Sequence, residues 1–316
     1  MPSLVLEGYA AAFATEASMP DMLISASAPE AGIVIVAAVT TDLTREIRDR
    51  HDMSPTATAT TGRLATGAVL FGSALNGRER ISLQISGEGP IGSVAADTWL
   101  AEPDVLAARG YAGNPHVDIP LNERGKFDVA GSVGAGSLHV TKSYEVGQPY
   151  VGVVPLYSGE IAEDLAAYLV KSEQIPSIVA LGVLASPHGV RASGGVLAQI
   201  MPGADEKAIA TLEERALAMP PITTLINEGA DAHALLHALA GALELRSHRS
   251  IEVRFGCLCS KQKVEIALVA MGAQELRRLA AERNEAEATC EFCKRVFVFT
   301  SNEVLGLAED CATKRE

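Results

Sequence analysis

The spacing of apolar positions along the chain changes character twice. Over the first two hundred residues short apolar runs alternate with polar and glycine-rich stretches, the pattern of a mixed α and β unit. Gly32 to Val39 is an uninterrupted apolar run of strand length, and Asp42 to Arg50 reads as a short charged helix ending before His51 and Pro55. A longer Ala-rich helix is predicted from Thr58 to Leu75, stopping at Asn76-Gly77. Strands are expected at Arg80 to Ser86 and Gly92 to Asp97, then as a pair at Lys126 to Val133 and Ser137 to Ser143. Ser158 is the expected N-cap of a helix from Glu160 to Lys171. A strand from Pro176 to Leu184 then turns back after Ser186-Pro187-His188-Gly189.

After Pro202-Gly203 the periodicity becomes helical and stays so from Asp205 to about Arg246, broken by Pro220-Pro221 and Gly229, with Asp231 as a predicted N-cap. Beyond it, Ser250 to Phe255 and Lys263 to Ala270 are expected strands, Ala273 to Arg283 an amphipathic helix, and Arg295 to Thr300 a further strand. The fold class expected is α+β in three parts: a mixed α/β core domain over 1–203, a helical linker over 204–250, and a small C-terminal four-cysteine zinc domain over 251–316. A length of 316 residues is consistent with two or three units.

Composition adds two constraints. Hydrophobic residues make up 48% and aromatics only 4%, so the core is expected to be built from Ala, Val, Leu and Ile, with Trp99 the sole tryptophan. The net charge of −13 argues against a phosphate-backbone partner for the whole protein. From Gly256 onward nine Lys and Arg face ten Asp and Glu, against seventeen and twenty-nine upstream, so the acidity lies in the N-terminal part. Met1 to Met19 has no basic region followed by a long apolar one, and no run of about 18 apolar residues occurs anywhere. A cytoplasmic protein with no membrane and no nucleic-acid partner is the expectation.

The chemistry is concentrated in four of the five cysteines: Cys257-Leu258-Cys259 and, thirty residues later, Cys290-Glu291-Phe292-Cys293. In a reducing compartment a CxC with a CxxC points to thiolates around a metal rather than a permanent disulfide framework. Four sulfurs suit tetrahedral Zn²⁺, and thiolates are also the side chains most readily oxidised. A unit of this size has a core worth only about 3–5 kcal/mol, whereas structural zinc contributes roughly 10–16 kcal/mol in small metallo-domains. Metal loss should therefore unfold it. Bridges within each pair would close tiny loops and constrain the unfolded chain little, whereas a Cys259–Cys290 bridge would tether distant segments. The pairing decides whether oxidation releases the unit or locks it. Cys311 lies outside the pattern.

Other signals are weaker. The CxxC alone suggests a thiol-disulfide oxidoreductase using Cys290 and Cys293, but such motifs open a helix, and the residues after Cys293 read as a strand. A zinc-ribbon module for nucleic acid is disfavoured by the neutrality of the cysteine segment. Gly87-Glu88-Gly89-Pro90-Ile91-Gly92 matches G-x-G-x-x-G, yet Pro90 and the strand-like residues after it favour a strand-to-strand turn. His233 and His237, four apart, fit the polar side of an amphipathic helix. No nucleophile and base pair is evident, so no enzyme is expected.

With these residues in place the chain resembles the heat-shock protein 33 family of redox-regulated holdase chaperones. The cysteine spacing and the form Cys290-Glu291-Phe292-Cys293 are similar to the family's zinc motif. Upstream, Ile85-Ser86-Gly87-Glu88-Gly89-Pro90, Arg109-Gly110-Tyr111 followed by Gly113-Asn114-Pro115, Ser158 to Leu165, Ser172 to Ser177, and Gly194-Gly195-Val196-Leu197 are similar to stretches of its N-terminal domain. The resemblance implies that Cys257, Cys259, Cys290 and Cys293 bind one Zn²⁺ per chain in a reduced, quiet form. It further implies that oxidants form disulfides Cys257–Cys259 and Cys290–Cys293, release zinc and unfold the zinc domain and linker. The activated form, homodimeric when oxidised, would hold unfolding client proteins without ATP.

Overall fold

The computed structural model describes residues 20–313, and of 311–313 the backbone alone. Ten strands form one sheet: β1 (Met22–Ala28), β2 (Ile33–Val39), β3 (Arg80–Gly87), β4 (Ser93–Glu102), β5 (Val105–Ala112), β6 (Gly136–Ser143), β7 (Tyr150–Pro155), β8 (Ser177–Ser186), β9 (Gly189–Ile200) and β10 (Arg246–Phe255). Their order is β7-β6-β3-β4-β5-β10-β1-β2-β9-β8. Neighbours are antiparallel except β5 and β10, which run parallel at the centre.

Alternation along the strands gives the sheet two apolar faces. One carries Leu23, Val36, Ala38 and Leu197 and is covered by α1 (Thr41–His51) and α2 (Pro55–Phe71). The helix α2 starts three residues earlier than expected because Ser54 caps it, accepting the N–H of Ala57 at 3.3 Å, with Pro55 in its first turn. It is nearly wholly buried, and two of its threonine hydroxyls bond back to the helix: Thr60 donates to the Thr56 carbonyl at 3.0 Å and Thr66 to that of Gly62 at 2.8 Å.

The opposite face, with Ile24, Ile33, Ile35, Ala37 and Val196, is covered by the predicted helical segment, now resolved as α5 (Glu206–Ala218), α6 (Ile222–Asn227) and α7 (Ala232–Ala240). Leu212, Ile222, Leu235, Leu236 and Leu239 are buried there, whereas Leu217 is 90% exposed. His233 and His237 lie on the exposed side of α7, and Asp231 caps it by accepting the N–H of Ala234 at 2.7 Å. No helix among the described residues is long and apolar enough to cross a membrane.

Several expected elements differ. The segment Lys126–Val133 is a loop ending in the short helix α3 (Val129–Val133), because Asp128 caps it by accepting the N–H of Gly131 at 2.8 Å. Strands β1, β5 and β7, and a further strand over Glu285–Thr289, lie where no strand was expected. The helix after Ser158 is α4 (Ala162–Tyr168), continued by a π turn over Leu169–Glu173. Its N-terminus is not capped by Ser158. The buried Asp164 instead accepts the N–H groups of Tyr157, Ser158, Gly159 and Ile161 at 2.7–3.3 Å and holds Ile161 at a φ of 64°. Gly87 to Gly92 forms a strand-to-strand turn, with Gly89 N–H donating to the Val133 carbonyl at 2.8 Å.

The C-terminal unit comprises α8 (Lys261–Val269), α9 (Ala273–Glu282), the hairpin β11 (Glu285–Thr289) and β12 (Val296–Thr300), and α10 (Ser301–Thr313). Its core is small: Leu276, Ala286, Phe299, Val304 and Ala308. The expected strand Lys263–Ala270 is a helix. Ser260 caps it, accepting the N–H of Lys263 at 3.3 Å, and Val264 and Leu268 turn one face to the core while Ile266 stays 70% exposed. The boundary expected between linker and zinc domain at 250/251 falls inside β10, a central strand of the large sheet.

Removing the Asp164 carboxylate would leave four backbone N–H donors, those of Tyr157, Ser158, Gly159 and Ile161, without this acceptor. Asp164→Ala is expected to cost about 3–5 kcal/mol, read as a lowered urea midpoint, with Asp164→Asn losing less.

Candidate metal and redox centre

Two chain segments build the site. The first is the exit of β10, where Gly256 donates its N–H to the Ala108 carbonyl at 3.0 Å and Cys257-Leu258-Cys259 follows before α8. The second is the turn between β11 and β12. There Lys294 N–H donates to the Cys290 carbonyl and Cys290 N–H to the Arg295 carbonyl, both at 2.9 Å, with Lys294 at a φ of 57°. No helix opens at this CxxC.

These segments bring the four predicted cysteines together, with all their Sγ atoms within 4.8 Å of one another. Cys257 and Cys290 are 3.7 Å apart and Cys259 and Cys293 3.4 Å apart, and none of the four is in a disulfide. A tetrahedron with Zn–S arms of about 2.3 Å has edges of about 3.8 Å. The cluster is thus of the right size and donor type to hold a metal ion. Because every sulfur neighbours the others, proximity selects no disulfide pairing. Cys293 is buried and the other three are half-buried. The side chain of Cys311 lies outside the described residues.

Charge around the sulfurs is arranged by the core domain. Burial pushes the Cys257 thiol up, but the backbone N–H and thiol of Cys259 and the Arg109 guanidinium outweigh it and bring it down to about 7. Burial pushes the Cys259 and Cys293 thiols up. Arg109 Nη1 donates to Cys257 Sγ at 3.2 Å, the outer contact expected to orient and neutralise a thiolate ligand. Arg109 is itself fixed from β4, its Nε and Nη2 donating to Asp97 Oδ2 at 2.8 and 2.7 Å.

Phe292, between the CxxC sulfurs, lies 3.6 Å from its ring centroid to the Arg109 guanidinium and meets Tyr111 edge-on at 4.9 Å. Its carbonyl accepts from His51 Nε2 at 3.0 Å, and the Cys293 carbonyl accepts from Arg50 Nη1 at 3.1 Å. A carbonyl can only accept, so the proton of the His51 ring sits on Nε2, leaving Nδ1 buried without a partner. Burial, with Lys294 and Arg50 nearby, lowers the His51 pKa against the pull of the Phe292 carbonyl.

Sequence reasoning found the four cysteines and missed these partners. Two signals were present: an aromatic residue in a two-residue metal-loop spacer, and the cation and aromatic of Arg109-Gly110-Tyr111.

A sequence model of the family described as Hsp33 protein matches residues 21–300. The chain is 41% identical over 297 residues to the 33 kDa chaperonin of Nostoc punctiforme, covering 92% of this chain and 97% of that one. It is 40% identical over 288 residues to the 33 kDa chaperonin of Geobacillus kaustophilus, covering 90% and 97%. The crystal structure of the heat shock protein 33 homolog from Thermotoga maritima superposes with a TM-score of 0.84 at 33% identity, covering 93% of this chain and 100% of that one. A mixed sheet with a four-cysteine unit at its exit is the architecture of a chaperone family. The chain belongs to the Hsp33 family.

Reconstitution of the reduced protein with cobalt(II) is expected to give the visible bands of tetrahedral thiolate coordination at one ion per chain. Serine at any one of Cys257, Cys259, Cys290 or Cys293 should abolish that spectrum.

Proposed function

We propose that this chain is an oxidation-activated holdase, which binds unfolding polypeptides without ATP, acts in the cytoplasm and catalyses no reaction. The observation that carries this reading is the convergence of Cys257, Cys259, Cys290 and Cys293 on one point, at the edge of a unit with so small a core. When bound, zinc keeps four thiolates ionised and ties the two cysteine loops together.

A peroxide oxidises the set two electrons at a time. Each pair of thiolates gives up two electrons and forms one sulfur–sulfur bond, and the peroxide leaves as two hydroxides; a second equivalent consumes the other pair. Kinship with the family implies the pairs Cys257–Cys259 and Cys290–Cys293. Such bridges close minimal loops and hold an unfolded unit together poorly. The oxidised sulfurs no longer hold the ion, and the unit from Lys261 onward loses the link between its loops.

Lifting of α5–α7 would then bare Leu212, Ile222, Leu235, Leu236 and Leu239, together with Ile24, Ile33 and Ile35 beneath them. At about 25 cal/mol per Å² of apolar surface, such a face favours contact with the apolar segments of an unfolding client. Two oxidised protomers sharing this exposed surface would account for the homodimer.

Light scattering from a thermally unfolding client, run beside a zinc-release dye, tests the reading. Peroxide-treated protein is expected to release one zinc per chain and suppress aggregation, and reduced protein to do neither. Retention of zinc after oxidation, or equal suppression by both forms, would sink the idea. Multiple-turnover reduction of insulin lost on Cys290→Ser would instead favour an oxidoreductase.

A further inference from the structure

Among the described residues no helix or strand of the C-terminal unit packs broadly against the large sheet or its helices, so the cysteine loops themselves make the junction. At that junction the Arg109 side chain of the core touches both loops. We propose that Arg109 is a positioning residue that latches the zinc unit to the core, gripping the CxxC loop through the Phe292 ring and sensing the CxC loop through Cys257 Sγ. The inference rests on the holdase reading only for the meaning of the oxidation signal.

The geometry separates an anchor from a grip. Asp97, which also accepts from Arg80 and Ser82, fixes the Arg109 guanidinium from within the sheet and leaves Nη1 to donate to Cys257. Phe292 takes no part in the small core of its own unit. Its ring lies instead against Arg109 and Tyr111 of β5, and the carbonyls beside it are held by His51 and Arg50 from the last turn of α1. A half-buried aromatic ring held by residues of another unit is the contact of a loop that docks.

The latch reads the redox state through its acceptor. With Cys257 as a thiolate the Nη1–H bond is charge-assisted. When Cys257 and a second thiolate pass two electrons to a peroxide, which leaves as two hydroxides, the new disulfide sulfur is neutral and a poor acceptor. The buried Nη1–H is then left unpaired, which penalises the docked arrangement. Covalent change at one ligand is thereby converted into release of both loops from the core.

The test uses the full-length, reduced, zinc-loaded protein and Phe292→Ala, Phe292→Tyr and Arg109→Lys variants. Trp99, 5.6 Å from the Arg109 guanidinium, is a built-in fluorescence probe of the junction. Phe292→Ala is expected to keep one zinc per chain, to show a red-shifted Trp99 emission and faster amide exchange at Cys290–Lys294 before any oxidation, and to release zinc about ten-fold faster under limiting peroxide. Phe292→Tyr should restore wild-type behaviour, and Arg109→Lys, which lacks the planar fork, should match Phe292→Ala.

Wild-type exchange and release in Phe292→Ala would overturn the latch. So would outright loss of zinc from that variant, which would mean that Phe292 shapes the ligand set itself. The Phe292 series decides the matter even if Arg109→Lys fails to fold. No readout involves a client, so failure of oxidised wild-type protein to suppress aggregation would count against the holdase reading alone.

Discussion

The parallel pairing of β5 with β10 is the constraint on which the rest of the molecule depends. It joins two antiparallel half-sheets, β7-β6-β3-β4-β5 and β1-β2-β9-β8, through a strand that the chain supplies only after it has built everything else in the sheet. The register sets Phe255 beside Ala108, so the residues that leave β10 emerge level with Arg109. Gly256 is needed at that exit, since a Cβ there would lie 2.8 Å from the Ala107 side chain. A slip of one residue would turn the apolar positions of β10 to the wrong faces and move Cys257 away from its guanidinium partner.

Close approach is a second theme of the core. A Cβ on Gly62 would come within 2.6 Å of Thr44, and one on Gly67 within 2.4 Å of Leu165, so α2 lies deep against its neighbours because small residues line it. The same economy of volume explains a buried hydroxyl cluster in which Thr40 lies 2.7 Å from Thr66 and Thr44 donates to Ser193 at 2.8 Å. Polar atoms are tolerated there because each finds a partner. The rigid sheet this produces gives Arg109 and His51 fixed positions from which to meet the cysteine loops.

How much was legible in the sequence follows from which forces are local. Runs such as Ile33–Val39 and the cysteine spacing carry their own signal: the first is a strand, and the four sulfurs of the second lie together. Lys263–Ala270 misled because Val264, Ile266 and Leu268 alternate like a strand, while the deciding features were the Ser260 cap and the i, i+4 pair facing Leu276 and its neighbours. β5 was invisible because its run of Val, Leu and Ala with one Arg is buried on both sides, and burial rather than alternation defines it. Membership of β10 in the large sheet, and so the meeting of Arg109 with Cys257, is a long-range pairing that no local window reports. Asp164 shows a middle case. It lies near the end of the Ser158 to Leu165 stretch visible in the sequence, but its four backbone donors become apparent only once the chain has turned around it.

The helices α5–α7 are bounded on one side by β9 and on the other by β10, both embedded in the sheet and separated by two strands, roughly 14 Å at ordinary strand spacing. The segment 201–245 is therefore a loop closed at both ends, not a tail. If it comes free it cannot drift from the surface it covered, and it competes with any bound client at a high local concentration that depends only weakly on its length. Return to the covered state thus requires no search through solution. On the proposed reading, such a chaperone would carry its own displacing ligand, tethered where a client would have to be let go.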